Sequence, residues 1–187
     1  ARGVTFVLGI SPFIDYDGSS DADYQALRAK LGDLAATGVR GFAVLADDIE
    51  LESTPVVDGA LGAAHVEVTN RLLVDLGSAW PGVTLSFTPT VYSDERIGFW
   101  AGCADYLRAL RDLDPSIPVM WTGPLTGNET LAPADLQAFV DLVGRPPLIW
   151  DNYYANDGGD GFTGHLPLGA YTGRSLDLPD AVAGIAV

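Results

Sequence analysis

The sequence is poor in cations. Lys30 is its only lysine, and ten basic residues face 25 acidic ones, giving a formal net charge of −15 at pH 7. Without a basic patch there is nothing to neutralise a phosphate backbone, so nucleic acid is not expected as a partner. The same sign of charge repels anionic membrane surfaces. Cysteine is nearly absent: Cys103 stands alone, which excludes an internal disulfide, and its setting in "FWAGCADYLRAL" is that of a core thiol. Histidine is scarce too. With only His65 and His165, no cysteine pair and no H-E-x-x-H, a transition-metal site has little support, and no cofactor is expected. No run of about 18 apolar residues is present to span a bilayer, and no signal peptide is evident. The expectation is therefore a soluble chain of unassigned compartment. It begins with Ala1 rather than methionine, which reads as a processed, excised or cut chain.

Hydrophobic residues make up 48% of the 187 positions and charged ones 19%, the balance of one globular domain with a real core. Apolar, β-rich runs recur at 4–10 ("VTFVLGI"), 41–46 ("GFAVLA"), 83–89 ("VTLSFTP"), 117–123 ("IPVMWTG") and 146–150 ("PPLIW"), and "VAGIAV" at 182–187 can begin a sixth. The runs are mostly continuous rather than alternating, as in parallel strands covered on both faces. Helical patterns fill the intervals. "DADYQALRAKLGDLAATG" opens acidic and stops at Gly38, "GAAHVEVTNRLLVDLGSAW" follows the second run, and "GFWAGCADYLRALRDLD" follows the third. After the fourth run comes "APADLQAFVDLVG", with Pro133 and Asp135 marking its start and Gly144 its end. A strand every 30 to 40 residues or so is the rhythm of βα units. The fold class is α/β with a parallel sheet, either doubly wound or barrel. Polar and aromatic residues gather just past several strands, which fits a barrel mouth fed by successive strands better than a single switch point. A closed barrel, however, has eight strands in about 250 residues.

Several motifs carry no chemistry. "GDGFTG" (159–164) has the letters of a dinucleotide loop but neither follows a strand directly nor opens a helix. "NDGGDG" (156–161) lacks the spaced ligands and distal glutamate of a calcium loop. No G-x-S-x-G nucleophile elbow occurs.

Two acidic stations remain. "GFAVLADDIE" climbs through a buried strand and ends in Asp47 and Asp48 side by side. Neighbouring carboxylates repel, which raises the pKa of one of them, and a fold tolerates that more readily at a working site. "WDNYYAND" sets Asp151, Asn152, Asn156 and Asp157 among aromatic rings. Acids and amides bind hydroxyls, rings stack on pyranose faces, and a carboxylate pair can hydrolyse a glycoside. The plainer alternative is that Asp47 and Asp48 cap the next segment while "WDNYY" is a packed corner.

The series "FAVLADDIE", "AAHVEVTNRLL", "FTPTVY", "MWTGP", "LIWDNYYAND" and "LGAYTGRS", in order and through essentially the whole chain, resembles glycoside hydrolase family 84. That family contains the O-GlcNAcases and bacterial β-N-acetylglucosaminidases. The resemblance implies a (β/α)8 TIM barrel and a retaining exo-hydrolase for terminal β-linked N-acetylglucosamine in a glycan or glycoprotein. It implies substrate-assisted catalysis, in which the sugar's own acetamido oxygen attacks the anomeric carbon to give an oxazoline. By resemblance Asp47 orients the acetamido N–H, and Asp48 protonates the leaving oxygen and then deprotonates water. Tyr92, Thr122, Trp150, Asn152 and Asp157 match sugar-binding positions. His65 and Asn70 match the pattern but read as helix-face packing or hydrogen bonding, and Gly173, Arg174 and Ser175 as a turn. "VTFVLGISP" corresponds to the third strand of the family's barrel, and the chain stops where the eighth begins. Residues 1–187 are thus expected to form one partial barrel without the first two βα units. Its open side would be covered by a second copy in a homodimer. The alternatives to turnover are a catalytically impaired partial barrel that self-associates and a remnant that only binds sugar.

Overall fold

A computed structural model describes residues 6–16, 20–49, 56–152, 155, 164 and 170–187. Each apolar run becomes a strand: β1 (Val7–Ile10), β2 (Gly41–Leu45), β3 (Thr84–Thr88), β4 (Met120–Trp121), β5 (Leu148–Trp150) and β6 (Gly184–Ala186). The helices α1 (Asp21–Ala36), α2 (Gly59–Ala79), α3 (Asp94–Ile97), α4 (Cys103–Ala109) and α5 (Gln137–Val143) lie between them. The strands form two parallel three-stranded sheets, β1-β2-β3 and β4-β5-β6, each in sequence order. A parallel bridge from Phe87 to Val119 joins them, with the Phe87 N–H donating to the Pro118 carbonyl at 2.9 Å. No reversal of strand order divides the sheets, so the described strands have no switch point of the doubly wound kind.

Local chemistry sets the helix ends. The Ser20 hydroxyl accepts the Asp23 N–H at the start of α1, and the Asp58 carboxylate accepts the N–H groups of Ala60 and Leu61 at the start of α2. Asp21 and Asp23 add negative charge where the α1 dipole is positive. Ahead of α5 the Asp135 carboxylate accepts the Ala132 N–H at 2.8 Å.

The third helical segment starts later than its sequence predicts: the run expected over 98–114 is helical only from Cys103 (α4), and a separate single turn, α3, precedes it. Gly102 is the physical reason: a side chain there would collide with the Val57 carbonyl, so the chain passes against the start of α2 before turning. Gly62 of α2 also lies close against α4, since an added Cβ would lie 2.7 Å from the Tyr106 carbonyl. These two close approaches draw α2 and α4 together, over a core that includes Leu72, Leu76, Phe42, Phe87, Leu107 and Trp121. Burial of these large side chains, at about 1.5–3 kcal/mol each, is the main force holding helices to sheet.

Central strand β2 is buried almost throughout, whereas β1 alternates between exposed and half-buried. Phe6, Val7, Ile185 and Val187 leave apolar surface at the two outer strands. No helix among the described residues is long and apolar enough to cross a membrane.

Candidate active site

The β2 ladder ends at Leu45, paired with Thr88, and the residue after it is also held. The Ala46 N–H donates to the Thr88 carbonyl at 2.8 Å, and the Thr90 hydroxyl donates to the Ala46 carbonyl at 2.7 Å. Both backbone groups of Ala46 are therefore fixed, and the chain leaves the sheet at Asp47. Thr90 is held in turn, because its N–H donates to the Tyr106 hydroxyl at 3.1 Å and that oxygen lies 3.0 Å from His65 Nδ1. A hydroxyl that accepts from Thr90 has its own proton for His65, which makes Nδ1 the acceptor of a neutral ring. Burial supports that state by pushing the His65 pKa down to about 3. His65 is thus a packed core histidine, stacked 4.1 Å from the Phe13 ring, and it anchors the strand exit from behind. Asn70 is structural too: it donates to the Asp112 carbonyl and accepts the Asp114 N–H.

Asp47 is half-buried and Asp48 exposed. Asp47 Oδ1 is shielded from water and accepts no hydrogen bond from the described residues. Burial raises the Asp47 pKa above the ordinary aspartate value and the Asp48 charge adds to the rise, while nearby backbone N–H groups and the Arg96 guanidinium oppose it. An acceptor in that condition lacks a donor, and a buried unpaired polar atom is costly.

Beyond β3, Tyr92 is nearly buried, and its ring centroid is 5.7 Å from that of Trp150 at the end of β5, with the planes tilted by 59°. Arg96, on α3, sets its guanidinium carbon 4.0 Å above the Tyr92 ring. The carboxyl ends of β2, β3 and β5 thus bring an acid pair, two tilted rings and one arginine to the same end of the sheet, where α/β folds place ligands.

The remaining sequence candidates are placed differently. Thr122 is buried, and its hydroxyl meets the Leu125 carbonyl at 2.8 Å and the Tyr92 carbonyl at 3.2 Å, so it braces the loops. Asn152 donates from Nδ2 to the Thr126 carbonyl at 3.0 Å, which ties its loop to the one after β4. Asp157 lies outside the described residues.

Sequence reasoning missed two arginines. Arg174, expected only in a turn, grips the buried Asp151 carboxylate through Nε and Nη2. Arg96 was not singled out at all. Its only sequence signal was its position four residues after Tyr92, in a chain with few cations. Among the described residues no three His, Cys, Asp or Glu side chains gather as a metal site.

The beta-N-acetylglucosaminidase family matches residues 1–187. This chain belongs to that family. The glycoside hydrolase family 84 resemblance read from the sequence therefore stands. The Protein O-GlcNAcase of Rattus norvegicus is 31% identical over 186 residues, covering 97% of this family member and 20% of the relative. That of Mus musculus matches to the same extent. Among solved structures, an O-GlcNAc hydrolase mutant from Thermobaculum terrenum superposes with a TM-score of 0.80 at 26% identity, over 98% of this chain and 39% of that one. CpGH84B superposes with a TM-score of 0.80 at 29% identity, over 97% and 31%. This family member spans about a fifth of the length of the curated relatives it matches.

Proposed function

We propose that the chain is the site-bearing portion of a retaining glycoside hydrolase for terminal β-linked N-acetylglucosamine, built on an incomplete (β/α)8 barrel. Parallel strands in unbroken sequence order support the barrel reading, since each βα unit then adds beside the last. Family membership supports the sugar. The observation that carries the chemistry is the shielded, donorless Asp47 Oδ1 at a strand exit, at the same end of the sheet as the tilted rings of Tyr92 and Trp150.

An acetamido N–H supplies the donor that Asp47 Oδ1 lacks. With that bond made, the acetamido oxygen is turned toward the anomeric carbon. The oxygen forms a bond to that carbon as the bond to the leaving oxygen breaks, and the leaving oxygen takes the Asp48 proton. Water then opens the oxazoline and gives a proton back to Asp48, restoring the acid with retention at the anomeric centre. Asp47 serves as an ionised partner of the N–H throughout, and a positive charge developing on the amide strengthens that bond. Tyr92 and Trp150 enclose the acetyl methyl, Asn152 and Thr122 brace the loops around the sugar, and Asp157 takes its outer hydroxyls.

Release of 4-nitrophenol from 4-nitrophenyl β-N-acetylglucosaminide tests the reading. Turnover is expected to vanish in Asp48→Asn and to fall steeply when the acetyl group is replaced by trifluoroacetyl, which weakens the attacking oxygen. A rate indifferent to fluorination removes the substrate-assisted mechanism, and no turnover at all leaves a sugar-binding or impaired form.

A second reading concerns assembly. Phe6 and Val7 at one sheet edge and Ile185 and Val187 at the other expose apolar groups beside strand backbone, the arrangement that recruits another strand. In the isolated 187-residue chain a second copy covers them as a homodimer. Light scattering that reports a folded monomer at micromolar concentration removes this reading.

A further inference from the structure

Arg96 makes no ion pair among the described residues, yet its charge is not idle. The other described arginines meet oxygen directly: Arg28, Arg71, Arg108 and Arg174 pair with carboxylates, and Arg40, Arg111 and Arg145 donate to backbone carbonyls. Arg96 is held by rings instead. Its guanidinium carbon lies 4.0 Å from the Tyr92 centroid and 5.8 Å from that of Phe99. The backbone beneath this stack is fixed. The Asp94 and Glu95 N–H groups donate to the Gly123 and Pro124 carbonyls, each at 3.0 Å, and Glu95 Oε1 accepts the Thr126 N–H at 2.7 Å. The Arg96 carbonyl accepts the Phe99 N–H at 3.1 Å and the Cys103 thiol at 3.4 Å. The single turn α3 is thereby tied to the loop after β4 on one side and to the start of α4 on the other. With Tyr92 itself nearly buried, both partners of the stack are held in place.

The carboxylate that this charge reaches is Asp47. The charged and titratable groups that face Asp47 are Asp48 beside it, Arg96 from α3 and the Tyr106 hydroxyl from α4. Burial holds the Tyr106 pKa well above its ordinary value, so that hydroxyl stays neutral. Burial and the Asp48 charge favour the protonated form of Asp47, and among the described residues Arg96 is the cation that opposes them. No ion pair joins the two, and Asp47 Oδ1 accepts no hydrogen bond from the described residues. That separation has a chemical consequence. A guanidinium in contact would donate to the carboxylate and compete for the oxygen that an acetamido N–H needs. Held on the Tyr92 ring, the cation leaves that oxygen open and still acts on it, because Coulomb attraction falls only as the reciprocal of distance. Cation–π contact fixes the guanidinium without a second carboxylate, which would cancel its charge.

We propose that Arg96 is a positioning residue of the acid pair: clamped on the Tyr92 ring, it keeps Asp47 an open carboxylate acceptor for the acetamido N–H without touching it. The inference rests on the proposed hydrolase reading and deepens it. One guanidinium then serves two parts of the site, the Tyr92 wall through its flat face and Asp47 through its charge.

The test titrates the Asp47 side-chain carboxyl by carbon NMR, the signal being assigned by its loss in Asp47→Asn. The titration is set beside the pH dependence of kcat/KM for 4-nitrophenyl β-N-acetylglucosaminide. Arg96→Met removes the charge and keeps an apolar contact with the ring. In this variant the Asp47 midpoint is expected to rise by about half a pH unit or more. The acid limb of kcat/KM is expected to move with it, so that the rate on that limb falls about threefold or more. Arg96→Gln, neutral but polar, is expected to give the same rise and guards against a fold lost in Arg96→Met. Arg96→Lys, which keeps a charge over the ring, is expected to hold the midpoint and the limb close to those of the unmodified chain. A midpoint unmoved in both neutral variants overturns the inference. An equal rise in Arg96→Lys and Arg96→Met also overturns it, because the shape of the side chain then matters and its charge does not. A midpoint that rises while the acid limb stays in place overturns it too, since the charge then does nothing for the reaction. Failure of the unmodified chain to release 4-nitrophenol removes the hydrolase reading and the role of Arg96 with it, and the NMR titration distinguishes that result from a failure of the charge to reach Asp47.

Discussion

Arg174 holds Asp151 in a two-pronged ion pair, Nε to Oδ2 at 2.6 Å and Nη2 to Oδ1 at 2.5 Å, with 7% and 3% of the two side chains exposed. The Tyr171 hydroxyl donates to the same carboxylate at 2.6 Å, and Arg174 Nη2 reaches the Asn128 carbonyl at 3.1 Å. Asp151 directly follows β5, so this network pins the loop after Trp150 to the loop after β4. Removing one partner strands a buried charge. Asp151→Asn or Arg174→Met is expected to lower stability by about 3–5 kcal/mol in urea unfolding. The double replacement Asp151→Asn with Arg174→Met is expected to lose less than the two single losses combined. Strict additivity would show that the pair is not coupled.

Gly173 makes that pairing geometrically possible. Its φ is +79°, and a Cβ at this position would overlap the Glu129 carbonyl oxygen. The Gly173 carbonyl also accepts the Leu131 N–H at 2.8 Å, which begins the short bridge that presents Arg174. Gly173→Ala is therefore expected to cost about 2 kcal/mol or more, from strain and overlap together. Gly38→Ala is the internal comparison: its φ is +106° but nothing lies within 4 Å of the added Cβ. It is expected to lose only about 1 kcal/mol, for strain alone. Equal losses at both positions, read from urea midpoints, would contradict the overlap.

His65 gives stability a pH dependence. Its folded pKa is pushed down to about 3 by burial, from an unfolded value of 6.5. The unfolded chain therefore binds the proton first. The contribution is fully present above pH 6.5 and is lost as pH falls from there toward 3, at a limiting slope of about 1.4 kcal/mol per pH unit. Chemical denaturation between pH 5 and 6.5 reads this slope above the range in which most carboxylates titrate. In His65→Phe the slope in that window is expected to flatten. An unchanged slope would mean that the ring is not buried and neutral.

The strands were legible because parallel β-structure covered on both faces demands continuous apolar runs, and "GFAVLA" or "PPLIW" fits nothing else as well. Asp47 and Asp48 were conspicuous because two like charges directly follow such a run. The late start of α4 was not legible: Gly102, just before it, passes against Val57, a neighbour far away in sequence. The partners of Arg96 and Arg174 were hidden for the same reason. A guanidinium's role is set by what faces it, and only the fold puts Tyr92 under one and Asp151 against the other. Thr122 shows the converse, since its place in a matching block says nothing about a hydroxyl already engaged by the Leu125 carbonyl.

Asp47 sets local stability against function. Its carboxyl pKa is raised, by burial first and by the Asp48 charge as well, so the folded state holds this proton more tightly than the unfolded chain does. Stability from the group is fully present below the unfolded pKa and is lost as pH rises through the folded one. At pH 7 the ionised carboxylate is therefore a burden on the fold. Asp47→Asn, which removes the charge and keeps the shape, is expected to stabilise the chain at pH 7 by on the order of 1 kcal/mol. The gain is expected to fade below about pH 3.8, the ordinary aspartate value, where the native residue is also neutral. The same replacement is expected to abolish turnover of the 4-nitrophenyl glycoside, because an amide cannot stabilise the charge developing on the acetamido group. In the unmodified chain the acid limb of kcat/KM is expected to lie above the usual aspartate range, since the free site must lose the Asp47 proton before it can accept an N–H. Thermal melts of both proteins at pH 3.5 and 7, set beside the pH–rate profile, read all three effects. A variant less stable than its parent at pH 7 would show that Asp47 supports the fold, and would remove the argument that its unpaired oxygen is kept for a substrate.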